Sequence, residues 1–502
     1  MPLCTFLLLS LLGLESDQVA RELQAHIRFL ADDLLEGRET SYRGQRLAAR
    51  YLETQLELAG LQPVDGASDH GYLQPFDVRV AEAENESHRA RFRGGGRGTS
   101  WAHGRDYQVI PYGVGRYDRV APMLYLGYGI KAGDYNDWAG MEAKDHWVVV
   151  HDGLPENPSK DGPFSSKEAQ RFSNFIKFYN AHGAEAAGLI ILKKRNPDKP
   201  LSYLPALRDM ELVETNEFET KLFPILWVYE DKWPELFGRS YERFQEAHDQ
   251  IVTKERPRSM EIRGRKLALK LNIQNRVRQT ENVVGCVPGT DPQLRDEALV
   301  ISGHYDHLGV IHGEVFNGAD DNGSGTATLL LLARHFAKNP TRRSLIFAFF
   351  TGEEQGLLGS DWFVANTPIP LERIVANINV DMIGRNATDT IGVIPSAGKS
   401  VSTMNEVLDA VNLKQSQAWS FDRSLDKYHN RSDQYHFAKN GIPTLFFFSD
   451  VHPHYHSPAD DWERLDYDKL ARFYTLMRDF LTEVGDREER PKFLETEAVP
   501  DP

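Results

Sequence analysis

Five short segments in the second half of the chain concentrate side chains that bind divalent metal ions. They are GHYDHLG with His304 and Asp306, NGADDNGSG with Asp320 and Asp321, TGEEQGLLGS with Glu353 and Glu354, DMIGR with Asp381, and SDVHPHYHSPADD with His456. Singly, each is a weak signal. Adjacent acidic pairs recur at Asp32-Asp33, Asp460-Asp461 and Glu488-Glu489, most such pairs being solvated surface, and a lone His-x-Asp is commonly a structural hydrogen bond. Together they offer the imidazole and carboxylate donors that suit zinc and its neighbours. With only Cys4 and Cys286 in the chain, a cysteine-based zinc site and a disulfide framework are both excluded.

What must position these side chains is legible in the runs that precede them. ALVIS (298–302), SLIFAFF (344–350), IVANINV (374–380) and IPTLFFF (442–448) are near-continuous apolar runs, as in strands buried on both faces. TATLLLLARHFAKN (326–339) lies between the first two with helical spacing. The alternation predicts an α/β fold: a mostly parallel central sheet with helices on both faces. In such sheets ligands bind beyond the carboxyl ends of the strands, where the segments with His304, Glu353 and Glu354, Asp381 and His456 all fall. Burying that much negative charge without a cation would be prohibitive.

Upstream, apolar residues at helical spacing predict helices over 23–35 and 47–58, the second stopping at Gly60. The Gly-rich stretch 93–98 reads as a loop. From about residue 120 the texture changes to short strands at 123–130, 146–153 and 188–194 with a helix at 172–184; a further strand follows at 267–274. The expected organisation is a discontinuous core of 17–114 and 259–485, an inserted β-rich domain of 115–258, and a charged tail of 486–502 that frays. Residues 2–14 are apolar but too short to span a bilayer, and fit the core of a signal peptide over 1–16, which predicts a secreted or periplasmic protein. No other segment is long and apolar enough for membrane insertion, and the formal net charge of -15 argues against nucleic acid or anionic membrane as a main partner.

Taken in order, the five motifs resemble those of the co-catalytic zinc aminopeptidase family, the group containing bacterial leucyl aminopeptidase and the glutamate carboxypeptidases. The resemblance implies two zinc ions, one held by His304 and Asp381, the other by Glu354 and His456, with Asp321 bridging both; the spacing to Ser324-Gly325 selects Asp321 over Asp320. It implies Glu353 as general base, Asp306 as the carboxylate that fixes the His304 tautomer, and Tyr455 as a hydrogen-bond donor to the tetrahedral oxyanion. His307, His452 and His454 fall outside the ligand set, His429 and His436 line or pack the pocket wall, and Arg385 either meets a substrate carboxylate or, the favoured role, makes a structural ion pair. The block 115–258 resembles a protease-associated domain. The function implied is a zinc-dependent exopeptidase acting on peptides. Of the two directions the aminopeptidase is favoured, because no arginine cluster accompanies the motifs to hold a C-terminal carboxylate. The alternatives are a single-zinc acyl transferase like glutaminyl cyclase and a non-catalytic binding ectodomain of the same fold; the complete five-residue set together with Glu353 weighs against both.

Overall fold

The computed structural model describes residues 2–494 apart from 65–70, 84–88, 94–98, 104, 167–168, 170–173, 195–209, 213–221 and 312. The Gly-rich loop expected at 93–98 lies, after Arg93, outside the described residues. Two compact units make up the chain. Residues 1–78, 211–213 and 278–502 form the first, and 79–210 with 214–277 the second.

In chain order the first unit contains α1 (Pro2–Leu30), α2 (Arg43–Ala59), the end of β1 (Met260–Val287), β2 (Ala298–His304), α3 (Gly325–Lys338), β3 (Ser344–Phe350), α4 (Leu358–Ala365), β4 (Ile374–Val380), β5 (Thr390–Ile394), α5 (Thr403–Asn412), β6 (Ser420–Asp422), α6 (Gln434–Lys439), β7 (Thr444–Phe448) and α7 (Tyr467–Asp486). Strands β3, β2, β4 and β7 pair in parallel in that spatial order. β1 lies antiparallel on the β3 edge and β5 antiparallel beside β7. The mostly parallel sheet expected from the apolar runs is present. β7 starts at Thr444 rather than 442, as Pro443 has no N–H to give a ladder.

Period-2 alternation sends each strand's side chains to two cores. From β3, Leu345, Phe347 and Phe349 join the core under α1, α2, α3, α5 and α7, while Ile346, Ala348 and Phe350 join the one under α4 and α6. Helix α2 buries Ala48, Leu52 and Leu56 at four-residue spacing and stops at Gly60, whose φ of 84° suits the left-handed cap. α1 ends at Leu30, five residues before the expected limit. Asp32 then accepts from Leu34 N at 2.9 Å and caps a tight turn, Asp33–Arg38. The tail is fastened as far as it is described. The buried Arg343 guanidinium donates to the carbonyls of Arg487 and Glu488, and Arg490 Nε meets Glu297 Oε1 at 2.7 Å.

The second unit begins at Arg79 and ends at Val277, wider than the expected 115–258, because the strands Arg89–Arg93 and Gly115–Tyr125 both pair with the first half of β1. Strands Trp147–His151, Gly188–Lys193 and Phe223–Tyr229 are parallel in that order, with helices Asn174–Gly183 and Tyr241–Lys254. The strand expected over 123–130 stops at Tyr125, where Gly127 and Gly129 turn the chain at φ 52° and 69°. Among the described residues no helix is long and apolar enough to cross a membrane.

Candidate metal centre

Four parallel strands deliver their motifs to one edge. His304 is the last residue of β2, Glu353 and Glu354 lie in the turn after β3, Asp381 follows β4, and His456 sits in the loop after β7. Asp321 comes from the wide turn Ala319–Ser324 that leads into α3. That turn needs a glycine at 318: its φ is 57°, and a Cβ there would lie 2.1 Å from the Asp321 carbonyl oxygen and 2.5 Å from the His307 ring. Asp460 accepts from the backbone N–H groups of Asp320 and Asp321, each at 3.1 Å, and Gly384 N donates to Asp320 Oδ1 at 2.6 Å. Asp320 is thereby tied to main chain, and Asp321 is the one that faces His304 and His456.

The distances among these donors are informative. Two donors each about 2.0–2.1 Å from one tetrahedral zinc lie about 3.3 Å apart. His304 Nε2 stands 3.2 Å from Asp321 Oδ1 and 3.3 Å from Asp381 Oδ1. His456 Nε2 stands 3.1 Å from both Asp321 Oδ2 and Glu354 Oε2. Asp321 thus turns one oxygen to each of two donor groups. Glu353 Oε2 lies 4.0 Å from His304 Nε2, farther than the Asp321 and Asp381 oxygens, although His304, Glu353 and Asp381 together still lie close enough to hold an ion.

Around the donors a ring of hydrogen bonds sets their direction. His304 Nδ1 points at the main-chain carbonyl of Asp306, 3.1 Å away, which leaves Nε2 for the centre. The sequence reading gives that task to the Asp306 carboxylate, but Oδ1 is 3.7 Å from Nδ1; the carboxylate instead accepts from Thr40 Oγ1 at 2.9 Å and Glu353 N at 3.3 Å, holding the Glu353 turn. Ser432 Oγ donates to Asp381 Oδ2 at 2.8 Å. His307, set aside in the sequence, meets Glu354 Oε1 at 2.6 Å, a hydrogen-bond length rather than a tetrahedral edge, and so orients that carboxylate. His452 lies 3.4 Å from Asp320 Oδ2, and His454 Nδ1 faces Arg385 Nη2 at 3.1 Å, so Arg385 meets an imidazole where a carboxylate was expected.

Residues 282–481, which contain all five candidate ligands, match the model of Peptidase family M28. This stretch is an M28 peptidase domain. Over 224 aligned residues the chain is 27% identical to "Aminopeptidase YwaD" of Bacillus subtilis (strain 168), covering 43% of this chain and 47% of that one. Over 225 residues it is 27% identical to "Leucine aminopeptidase 1" of Trichophyton equinum, covering 41% and 58%. The matched stretch therefore spans about half the length of these curated relatives. The fold is shared more widely. The aminopeptidase from Aneurinibacillus sp. strain AM-1 superposes with a TM-score of 0.63 at 19% identity, over 94% of this chain and 95% of that one. BSAP, a zinc aminopeptidase from Bacillus subtilis, gives 0.61 at 18%, over 94% and 96%.

The electrostatics of the M28 domain fit a bound cation. Burial would depress the His304 imidazole, but Asp381 and Glu353 hold it well above the usual range; for His456, burial is outweighed by Glu354 and Asp321, which push it up to about 10. A metal ion bound by neutral imidazole would answer the same carboxylates in place of a proton. Burial and Asp321 act to raise Glu354, yet His456 and His307 hold it down at about 2, anionic and ready to ligate. Glu353 behaves differently: burial pushes it well above the usual carboxylate range.

One residue that sequence reasoning missed, Arg38, lies outside the M28 stretch. Its guanidinium is buried and is satisfied by main-chain carbonyls: Nε donates to Tyr305 O at 2.7 Å, Nη1 to Leu30 O and to Asn317 O at 2.7 Å, and Nη2 to Gly318 O at 2.9 Å. It ties the peptide after His304 to the glycine that starts the Asp321 turn. Lysine keeps the charge but cannot fork to four acceptors, so Arg38→Lys is expected to cost about 2–3 kcal/mol of stability, read as a lower urea midpoint at constant m-value. An unchanged midpoint would show that the clamp is dispensable.

Beside the donors opens a cavity of about 120 Å³, lined by Glu353 and Asp381 and walled by Met382, Phe446 and Phe448. Tyr455 lines it too, its ring stacked on His456 with centroids 3.8 Å apart. The wall also includes Tyr428, Arg431, Val451, Asp321 and His456, but not His429 and His436 as the sequence suggests; His436 is engaged with Asp361 at 2.9 Å.

Proposed function

We propose that the chain is a zinc-dependent aminopeptidase that binds two ions, one on His304 and Asp381, one on Glu354 and His456, with Asp321 shared. The observation that carries this reading is the Asp321 carboxylate, whose two oxygens lie 3.2 and 3.1 Å from the Nε2 atoms of two different histidines. Zinc held there supplies a Lewis acid for the scissile carbonyl and a strong nucleophile from water near neutral pH. The chain's own residues do the rest. Glu353 faces the same cavity without sharing the tetrahedral spacing, so it takes the proton of the attacking water and delivers it to the leaving amine. Tyr455 donates to the oxyanion in this reading, which its stacking on His456 at the cavity wall supports.

The apolar wall of Met382, Phe446 and Phe448 supports an N-terminal side chain seated beside the donors, with the scissile bond next to Glu353. A single guanidinium, Arg431, lines the cavity among the described residues, too few to clamp a C-terminal carboxylate in the manner of a carboxypeptidase. The test is a matched pair of substrates, leucine p-nitroanilide and its N-acetyl form, with zinc-loaded and chelator-stripped protein. Loaded protein is expected to cleave only the free amine and stripped protein neither. Equal cleavage of the acetylated substrate would remove the aminopeptidase assignment.

A further inference from the structure

The cavity contains one charge that the reaction above does not use. Arg431 lies between the turn Asp426–Tyr428 and α6, next to Ser432, whose hydroxyl holds Asp381. Its backbone N donates to Tyr428 O at 2.9 Å, which fixes the loop. The side chain lines the cavity and is solvent-exposed, and among the described residues no hydrogen bond or ion pair ties its guanidinium. Of the acids that line the cavity, Asp381 divides its oxygens between Ser432 and His304 and Asp321 between two histidines, while Glu353 makes no ion pair with the guanidinium. Met382, Phe446, Phe448 and Val451 give the wall apolar surface, and Tyr428 and Tyr455 complete it.

A planar five-donor fork without an internal partner, at a cavity with apolar walls, matches a carboxylate carried on a short hydrocarbon stem. The chain has a formal net charge of -15, so an acidic ligand is repelled at long range unless a local cation compensates. We propose that Arg431 recognises a carboxylate of the substrate and biases this site toward acidic peptides; the proposal rests on the aminopeptidase reading. The carboxylate has two possible sources, the side chain of an N-terminal glutamate or the free C-terminus of a dipeptide.

Two pairs of substrates separate these sources while changing only charge: the p-nitroanilides of glutamate and glutamine, and Leu-Leu with Leu-Leu-amide. For each pair the ratio of kcat/KM is measured in the parent protein, Arg431→Met and Arg431→Lys. In at least one pair the parent is expected to prefer the acid. Arg431→Met should reduce that ratio about 5-fold, as for a partly exposed ion pair; Arg431→Lys should fall between, and the parent's preference should shrink with added salt. A change in the first pair alone assigns the side chain, and a change in the second alone assigns the terminus. If both ratios are the same in all three proteins while leucine p-nitroanilide is turned over, Arg431 is not a recognition residue. If the parent protein with zinc cleaves none of the free-amine substrates, the aminopeptidase reading itself has failed.

Discussion

Glu353→Gln protein is expected to bind zinc as the parent does and to turn over substrate about 10²–10⁴-fold more slowly, the loss typical of removing a general acid–base. The amide is nearly isosteric with the carboxylate, and the backbone N of residue 353, held 3.3 Å from Asp306 Oδ1, is untouched. Metal affinity should be preserved because Glu353 Oε2 is 4.0 Å from His304 Nε2, outside the tetrahedral spacing shown by Asp321 and Asp381. KM should change much less than kcat, since the residue acts on the proton and not on the ground-state substrate. Loss of zinc from this variant would place Glu353 among the ligands.

The second large effect is expected at Asp321. Replacing it by Asn removes one oxygen donor and one negative charge from a side chain that faces both His304 and His456. Removal of an outer hydrogen-bond partner of a metal ligand costs about 10–100-fold in affinity. Asp321→Asn is expected to exceed that and to weaken both ions, whereas Asp381→Asn should weaken chiefly one. The check is zinc titration of stripped variants against a chromophoric chelator. If the two variants lost zinc equally and at a single site, Asp321 would not be the shared carboxylate.

The sequence announced the sheet because burial on both faces leaves no room for polar residues: β2, β3, β4 and the run ending in β7 are all visible as apolar runs. The candidate positions His304, Glu354 and Asp381 were legible for a related reason, since each closely follows such a run, whereas Asp321 and His456 lie in longer segments and stood out only by residue type and family pattern. Other features had no comparable signal. Arg38 is paired with carbonyl oxygens, which every residue has, so nothing at 305, 317 or 318 marks its partners. β1 was read only over 267–274, because its middle, from Gln274 to Arg278, is exposed and polar and looks like a loop. The unit boundaries moved outward with it. Tyr428 and Arg431 face the cavity from an irregular loop, where no period of two or 3.6 fixes side-chain direction, and the histidines at 429 and 436 drew attention by type alone. His307 was passed over because the family pattern counts ligands, while its role is to orient one of them.

The most direct test of the two-ion centre is the zinc stoichiometry of the full-length chain, by native mass spectrometry after stripping and reloading, beside the Glu354→Ala and Asp381→Ala variants. Two zinc ions per chain are expected in the parent and one in each variant. A parent that takes up one ion or none, or variants that keep two, would contradict the shared role of Asp321.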